Sequence, residues 1–165
     1  MSENISFKIR PIGVIHTPHT KSDRTPIQPV FSKGIQGTVE IYPEFREGIK
    51  DLEGFSYIYL LYFFHLSKVM QLQVVPYLDK VKRGIFATRA PHRPNRIGMS
   101  LVRLLDIENC VLTIEDVDIL DKTPLLDIKP YIQRYDTRAD ARSGWQDDIS
   151  NDIAGSLGKR DYPSR

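Results

Sequence analysis

The sequence contains one cysteine, Cys110, among its 165 residues. A single cysteine excludes a disulfide framework and a cysteine-based zinc site within the chain. The longest apolar run, residues 57–64, is too short to span a membrane. Residues 1–4 lack the basic start and apolar run of a signal peptide. These absences predict a soluble, cytoplasmic protein.

An excess of charge of one sign is also lacking. The 23 basic and 21 acidic residues leave a net charge of +2, so a nucleic acid would have to be held by a local patch rather than by bulk charge. The ten glycines form no G-x-G-x-x-G pattern, which argues against a Rossmann cofactor site. Neither an H-E-x-x-H metal spacing nor a G-x-S-x-G nucleophile elbow occurs, and we predict no metal site.

The residues that are present predict one folded domain. Hydrophobic residues make up 41% and charged residues 27% of the chain, which is typical of globular proteins. Many short β-rich segments between glycine- and proline-rich turns predict a mostly β fold, a small closed or strongly curled barrel with one or two short helices. We assign residues 1–131 to this barrel. We assign the polar residues 132–165 to a C-terminal arm that packs on the barrel or on a dimer partner.

The residue pattern predicts strands over residues 7–17, 36–42, 55–65, 85–89, 99–107, 111–120 and 125–129. Residues 55–65 are continuously apolar, which indicates a strand buried on both faces. A turn at 108–110 joins two of the strands into a hairpin. Phe45, Ile49 and Leu52 have helical spacing and predict one short helix ending at Gly54. Residues 18–34 and 66–82 are expected to be irregular.

Charge is segregated along the chain although its sum is small. Residues 80–103 contain seven basic residues and no carboxylate, whereas residues 106–127 contain seven carboxylates and one lysine. This segregation is consistent with a phosphate-binding surface beside a pocket that favours a cation. It is equally consistent with a basic strand that pairs with an acidic hairpin.

Residues 88–98 are the most informative part of the basic region. Pro91 and Pro94 stiffen the backbone, and the segment carries several donors: Arg89, His92, Arg93, Asn95 and Arg96. A stiff loop with forked guanidinium groups suits recognition of a carboxylate or a phosphate. The alternative is structural, with arginines that bind backbone carbonyls of a tight loop.

A second group of polar residues lies on the last predicted strand. Asp127 and Lys129 are two residues apart and therefore share one face of that strand. A carboxylate at this position can accept a ribose hydroxyl or an amine proton, and Lys129 could offset its charge. The alternative is an ordinary structural ion pair.

Four segments of the chain resemble the TrmO/TsaA-like family. They are PIGVIHTP at residues 11–18, LEGFSYIYLLYFFH at 52–65, GIFATRAPHRPNRIGMS at 84–100 and DKTPLLDIKPY at 121–131. The resemblance implies a tRNA methyltransferase that uses S-adenosylmethionine and has a β-barrel fold. The implied substrate is N6 of threonylcarbamoyladenosine at position 37, beside the anticodon of threonine tRNA. The implied assembly is a homodimer with the cofactor near the subunit interface.

The resemblance also implies the residues of the site. The implied cofactor contacts are Gln28, Pro29, Val30, Phe31, Leu66, Ser67, Arg89, Met99, Glu115, Asp116, Val117 and Asp118. Apolar groups would desolvate the sulfonium, carboxylates would tolerate its charge, and Arg89 can hold the methionyl carboxylate. We further predict RNA contacts from His92, Arg93, Asn95 and Arg96. The residues expected beside the target base, as the catalytic group, are Asp127, Lys129 and Tyr131.

Two features depart from the family pattern, and two other functions stay open. Some members carry a further C-terminal domain, so the tail after Ile132 or a second subunit would have to supply any grip on tRNA that this domain gives. Arg96 stands where the family often has proline. The open alternatives are a non-catalytic RNA-binding barrel and a methyltransferase with a different acceptor.

Overall fold

In the computed structural model, which describes residue 6 and residues 8–159, six strands close into an antiparallel barrel. The strands of the described chain are β1 (Gly13–His16), β2 (Gln36–Ile41), β3 (Tyr57–Phe63), β4 (Gln73–Val74), β5 (Arg83–Gly84), β6 (Ile97–Glu108), β7 (Val111–Glu115) and β8 (Thr123–Pro130). Around the barrel they follow the order β1, β2, β7, β6, β3, β8, and β4 pairs with β5 in a separate small sheet. The mostly β barrel expected from the sequence is confirmed.

Strand β3 is buried on one face only, so the prediction of burial on both faces is wrong. Ile58, Leu60 and Tyr62 point into the barrel and are buried. The alternate residues point outward and are exposed or half-buried: Tyr57, Tyr59, Leu61 and Phe63. A strand of a closed barrel has one face toward the core, and here the outward face is also aromatic and aliphatic. The apolar run therefore hides an alternation of period two.

Three other predicted strands are shorter or absent. Strand β1 begins only at Gly13, just after Pro11, which lacks an N–H; Phe7 lies outside the described residues. Strand β7 ends at Glu115 because Asp116 adopts a left-handed conformation with φ of 64°. The strand predicted over 85–89 is a 3₁₀ turn, Ile85–Ala87, in which the backbone N–H and the hydroxyl of Thr88 both donate to the carbonyl of Ile85. This local turn replaces strand pairing.

The short helix predicted from Phe45, Ile49 and Leu52 is present as two 3₁₀ segments, Pro43–Ile49 and Leu52–Gly54. The three side chains are partly buried and pack against the barrel core, as their spacing predicts. Proline at the first position of the longer segment is compatible with a helix start, because the N–H at that position has no partner within the helix.

The C-terminal arm contains helix α1 (Gln133–Asp136), a 3₁₀ turn at Gly144–Asp148 and helix α2 (Asn151–Gly158). It packs back on its own chain: Trp145 Nε1 donates to the carbonyl of Ala87 at 2.8 Å, and Ile27 N donates to the carbonyl of Gly158 at 3.0 Å. Within the described residues, no helix has both the length and the apolar character needed to cross a membrane.

Candidate functional site

A groove of about 420 Å³ lies on the outside of the barrel, where β3 and β6 meet three loops. It is lined by Gln28, Pro29, Val30, Lys33, Tyr57, Arg89, Leu101 and Asp116. Five of the twelve cofactor residues implied by the sequence resemblance are among these, and they come from three separate parts of the chain. The fold therefore brings the loop at 28–33, the basic segment and the turn after β7 to one place.

Two hydrogen bonds tie the walls of the groove together. Arg89 Nη1 donates to the side-chain oxygen of Gln28, which joins the basic segment to the loop 28–33. The backbone N–H of Gly34 donates to Asp116 Oδ1 at 2.8 Å, which joins the same loop to the end of β7. Gly34 has φ of 79°, a conformation that glycine adopts without strain. The left-handed Asp116 both ends β7 and turns its carboxylate toward this loop.

The floor of the groove consists of outward-facing residues that sequence reasoning missed. Tyr57 is the first residue of β3, and Leu101 lies on β6 directly beside Tyr59. The sequence does carry a signal for them, because residues along β3 and β6 alternate between the inner and the outer face, and Tyr57 and Leu101 occupy outer positions. The apolar run at 55–65 concealed it. Lys33 was also missed, although it lies two residues after the predicted segment 28–31.

The predicted catalytic residues lie on the same outer face, next to the groove. Lys129 of β8 is paired with Tyr59 of β3, which is paired with Leu101 of β6. Neighbouring strands are about 4.8 Å apart, so the backbone of Lys129 lies about 10 Å from that of the groove residue Leu101. Lys129 Nζ is 2.9 Å from Asp127 Oδ2, and both side chains are partly exposed. Asp127 also lines a second cavity, of about 540 Å³, under the 3₁₀ segments that follow β2.

An aromatic cluster connects the groove with this ion pair. The ring centroid of Tyr131 is 6.4 Å from that of Tyr57 and 6.0 Å from that of Tyr59, at steep interplanar angles. Partial burial raises the pKa of Tyr59, and the nearby carboxylate of Asp136 raises it further. Tyr59 therefore keeps its phenolic proton at neutral pH. The cluster offers an apolar surface with hydroxyl groups at its edge.

The seven other predicted cofactor residues lie outside this groove. Leu66 is exposed and Ser67 is buried, both just after β3, where the Ser67 hydroxyl contacts a ring nitrogen of His92 at 3.2 Å. Met99 is 46% exposed on the outer face of β6, two residues before the groove residue Leu101. Phe31 is half-buried at the end of the turn Pro29–Phe31, with its ring close to Gly158. Glu115 forms an ion pair with Arg103, the side chain of Val117 is fully buried, and Asp118 is buried as well.

Asp118 belongs to a hydrogen-bonded chain inside the barrel. The hydroxyl of Ser100 donates to Asp118 Oδ1 at 2.6 Å and lies 3.0 Å from the hydroxyl of Tyr62. Burial raises the pKa of the Asp118 carboxyl to about 7, and the hydrogen bond from Ser100 partly opposes this. Gly98 makes the arrangement possible, because a side chain there would overlap the ring of Tyr62.

The predicted RNA-contacting residues form a loop held by its own arginines. Arg93 donates to the backbone carbonyls of Ile85 at 3.0 Å and Thr88 at 2.7 Å. Arg96 donates to the carbonyl of Ser67 at 2.8 Å. These contacts match the structural alternative considered for the arginines of this loop, whereas Asn95 is exposed. RNA binding by this loop stays a prediction.

Arg96 has a left-handed backbone with φ of 51°. Proline, whose φ is fixed near −65°, could not adopt this conformation, so the departure from the family pattern at this position has a conformational consequence. In the described residues, no group of three or more histidine, cysteine, aspartate or glutamate side chains is arranged to hold a metal ion.

Comparison with known proteins identifies the family of this chain. Residues 14–137 match the family model for the tRNA-methyltransferase O N-terminal domain. A probable S-adenosyl-L-methionine-binding protein of Pyrococcus abyssi is 55% identical over 136 residues, which cover 82% of this chain and 74% of that protein. The human tRNA (adenine(37)-N6)-methyltransferase is 34% identical over 135 residues, which cover 77% of this chain and 30% of that protein.

A solved structure agrees with these sequence matches. The crystal structure of TrmO from Pseudomonas aeruginosa superposes with a TM-score of 0.72 at 38% identity and covers 86% of this chain. The match covers 63% of that chain, so this chain corresponds to less than two thirds of its length. Because the family model spans the barrel from β1 through β8 and reaches into the arm, the chain belongs to the TrmO family.

Proposed function

We propose that this chain transfers a methyl group from S-adenosylmethionine to N6 of threonylcarbamoyladenosine at position 37 of threonine tRNA. Family membership supports the coarser part of this proposal, an S-adenosylmethionine-dependent tRNA methyltransferase. The observation that carries the proposal is the single outer face that holds both the groove and the Asp127–Lys129 pair. The exact base, the tRNA and the residue roles belong to the proposal.

The groove has the chemistry that this cofactor needs. Its volume lies within the usual range for a small-molecule site, and the wall residues Pro29, Val30 and Leu101 are apolar. Arg89 suits a carboxylate, and Asp116 suits a cationic group. S-adenosylmethionine bound here would supply the electrophilic methyl group. The residues that would hold it are Gln28, Pro29, Val30, Tyr57, Arg89, Leu101 and Asp116.

The residues next to the groove fit the needs of the acceptor base. Methyl transfer is an in-line displacement, so its rate depends mainly on how the acceptor nitrogen is positioned. Tyr59 and Tyr131 give a surface on which an unstacked base can lie, as single-stranded RNA bases do on aromatic side chains. Asp127 can accept a hydrogen bond from the N6–H group and take its proton. The ammonium of Lys129 at 2.9 Å keeps this carboxylate paired with a positive charge.

A homodimer is part of the proposal. Large apolar side chains are exposed in the part of the chain between β3 and β6: Leu66, Val69, Met70, Leu72 and Phe86. An exposed apolar surface of this kind is typical of protein–protein contact sites. A second copy would also double the number of basic residues available to a tRNA, and one chain alone carries a net charge of only +2. Sedimentation of the purified protein at several concentrations tests this assembly.

The function is tested in two steps on the purified full chain. Isothermal titration with S-adenosylmethionine and S-adenosylhomocysteine should give micromolar binding, roughly −8 kcal/mol, with one site per chain. The second step compares threonine tRNA that carries threonylcarbamoyladenosine with the same tRNA lacking this modification. Methylation of the modified tRNA only supports the proposed acceptor. Methylation of both would indicate a different acceptor, and absence of cofactor binding with and without tRNA would indicate a non-catalytic RNA-binding barrel.

A further inference from the structure

The C-terminal segment 144–158, which we call the brace, binds the backbone close to two residues of the groove, one on each wall. At one end, Trp145 Nε1 donates to the carbonyl of Ala87 at 2.8 Å, two residues before the arginine of the groove. At the other end, the carbonyl of Gly158 accepts the N–H of Ile27 at 3.0 Å, directly before the glutamine of the groove. The brace lines none of the groove itself. Its contacts therefore act on the backbone that carries the groove residues.

Gly158 is fitted closely to the loop that forms one wall. It is buried at the end of α2, and a methyl group added there would overlap the ring of Phe31. Its φ does not lie in the left-handed region, so glycine is needed at this position for space rather than for backbone conformation. Phe31 ends the 3₁₀ turn Pro29–Phe31, and its N–H donates to the carbonyl of Gln28 at 3.0 Å. A displaced Phe31 would therefore move the groove wall.

The other wall has a comparable attachment. The guanidinium carbon of Arg83 lies 5.7 Å from the centre of the Trp145 ring, and Asp79 holds the same guanidinium at 2.8 Å. The indole thus sits between Arg83 of β5 and the end of the 3₁₀ turn Ile85–Ala87. This turn leads directly into Arg89.

We propose that the brace fixes the distance between the two walls of the groove, and that Gly158 is a positioning residue for the cofactor. The bond between Gln28 and Arg89 spans the groove, and each of these residues lies within two positions of a brace contact. If both side chains are held in place before binding, less conformational entropy is lost when the cofactor binds, and its affinity is higher. The inference rests on the proposed function only in taking this groove as the S-adenosylmethionine site.

The test compares two glycines of the same helix. Gly158→Ala places a methyl group against Phe31, whereas a methyl group at Gly155 has nothing within 4 Å. We expect Gly158→Ala to weaken binding of S-adenosylhomocysteine roughly tenfold, as overpacking of one methyl group would. Gly155→Ala should leave the affinity unchanged, and alanine there favours the helix. The Michaelis constant should rise for S-adenosylmethionine and not for tRNA.

Coupling through Phe31 is tested with a double-mutant cycle. In a Phe31→Leu background, Gly158→Ala should have little further effect on affinity, because the ring that the methyl group displaces is gone. Equal effects in both backgrounds would overturn the proposal. So would equal affinity of the Gly158→Ala and Gly155→Ala proteins. If Gly158→Ala does not fold, Trp145→Phe tests the other wall, because it removes the N–H that donates to the carbonyl of Ala87 while an aromatic ring stays beside Arg83. Unchanged affinity in that variant overturns the proposal.

Failure of the brace is distinguishable from failure of the proposed function. If the groove is not the cofactor site, the unmodified protein binds no S-adenosylhomocysteine, or Arg89→Ala leaves its affinity unchanged. If only the brace is wrong, the unmodified protein binds and Arg89→Ala weakens binding, but Gly158→Ala does not. Trp145 is the single tryptophan of the chain, so its emission gives an independent signal. It should change during the titration with the same midpoint as the heat signal.

Discussion

The inner and outer faces of β3 differ in what their polar groups contact. On the inner face, the hydroxyl of Tyr62 contacts Ser100, which donates to Asp118, so the polar groups satisfy one another within the barrel. On the outer face, Tyr57 and Tyr59 are exposed or half-buried beside the groove. One strand therefore supplies the core and the candidate site through alternate residues. Substitutions on the inner side should change the free energy of unfolding, and those on the outer side should change affinity or rate.

The largest effect on the inner side is expected for Asp118→Asn, measured as the pH dependence of stability. Burial raises the pKa of Asp118 from 3.8 to about 7, so between these values the folded protein keeps a proton that the unfolded chain releases. The free energy of unfolding contributed by this group therefore falls as pH rises through that window. The gap between the two values corresponds to about 4 kcal/mol.

Asparagine cannot titrate, yet its side-chain oxygen can still accept the bond from Ser100. Urea unfolding at pH values from 4 to 8 should therefore show the stability difference between the Asp118→Asn and unmodified proteins shifting in favour of the variant as pH rises. Arg89 lies near enough to lower the pKa of Asp118, so the same series in an Arg89→Ala background should move the transition to higher pH. A pH-independent difference between Asp118→Asn and the unmodified protein would contradict the assignment.

On the outer side, Arg89→Ala should weaken cofactor binding roughly 100-fold, because a hydrogen bond to a charged group contributes about 1.5–3 kcal/mol. Thermal stability should stay close to that of the unmodified protein, since the residue is exposed. The matched control is Arg46→Ala, which removes an exposed arginine of the 3₁₀ segment Pro43–Ile49 that does not line the groove. Calorimetric titration should find the control unchanged. Equal losses in both variants would indicate a general charge effect rather than a specific contact.

Lys129→Ala tests the ion pair on the same outer face. We expect kcat to fall about tenfold with unchanged affinity for S-adenosylhomocysteine, because the residue lies beside the groove and not in it. Lys8→Ala, at an exposed lysine that lines neither cavity, serves as the control. Single-turnover methylation of tRNA separates the chemical step from binding. Unchanged kcat would indicate that Asp127 and Lys129 form an ordinary structural ion pair, the alternative that the sequence leaves open.

The barrel and the position of the groove differ in how well the sequence predicts them. Short β-rich segments separated by turns were enough to predict a mostly β barrel, because these segments are rich in β-branched or aromatic residues. The groove required motif resemblance, since Gln28, Arg89 and Asp116 are far apart along the chain and meet only through barrel closure. Residue patterns report local periodicity and say nothing of which loops become neighbours.

The arginines show the same limit in a different way. Arg89, Arg93 and Arg96 look alike in the sequence, in one stiff loop. In the structure, Arg89 contacts a side chain across the groove, whereas Arg93 and Arg96 bind backbone carbonyls. A carbonyl partner leaves no trace in the sequence, because every residue supplies one. The structural alternative for such residues can be separated from the functional one only after the fold is known.

The smallest effect is expected for two tyrosines of β3, Tyr62 on its inner face and Tyr59 on its outer face. Tyr62→Phe removes a buried hydroxyl that contacts Ser100 at 3.0 Å and should lower the free energy of unfolding by about 1 kcal/mol. Tyr59→Phe removes an outward hydroxyl and should change stability by less than about 0.5 kcal/mol. Cofactor affinity should not change in Tyr62→Phe. If the two substitutions cost the same stability in urea unfolding, the faces of β3 are not divided between core and site, and the outer tyrosines serve the fold as well.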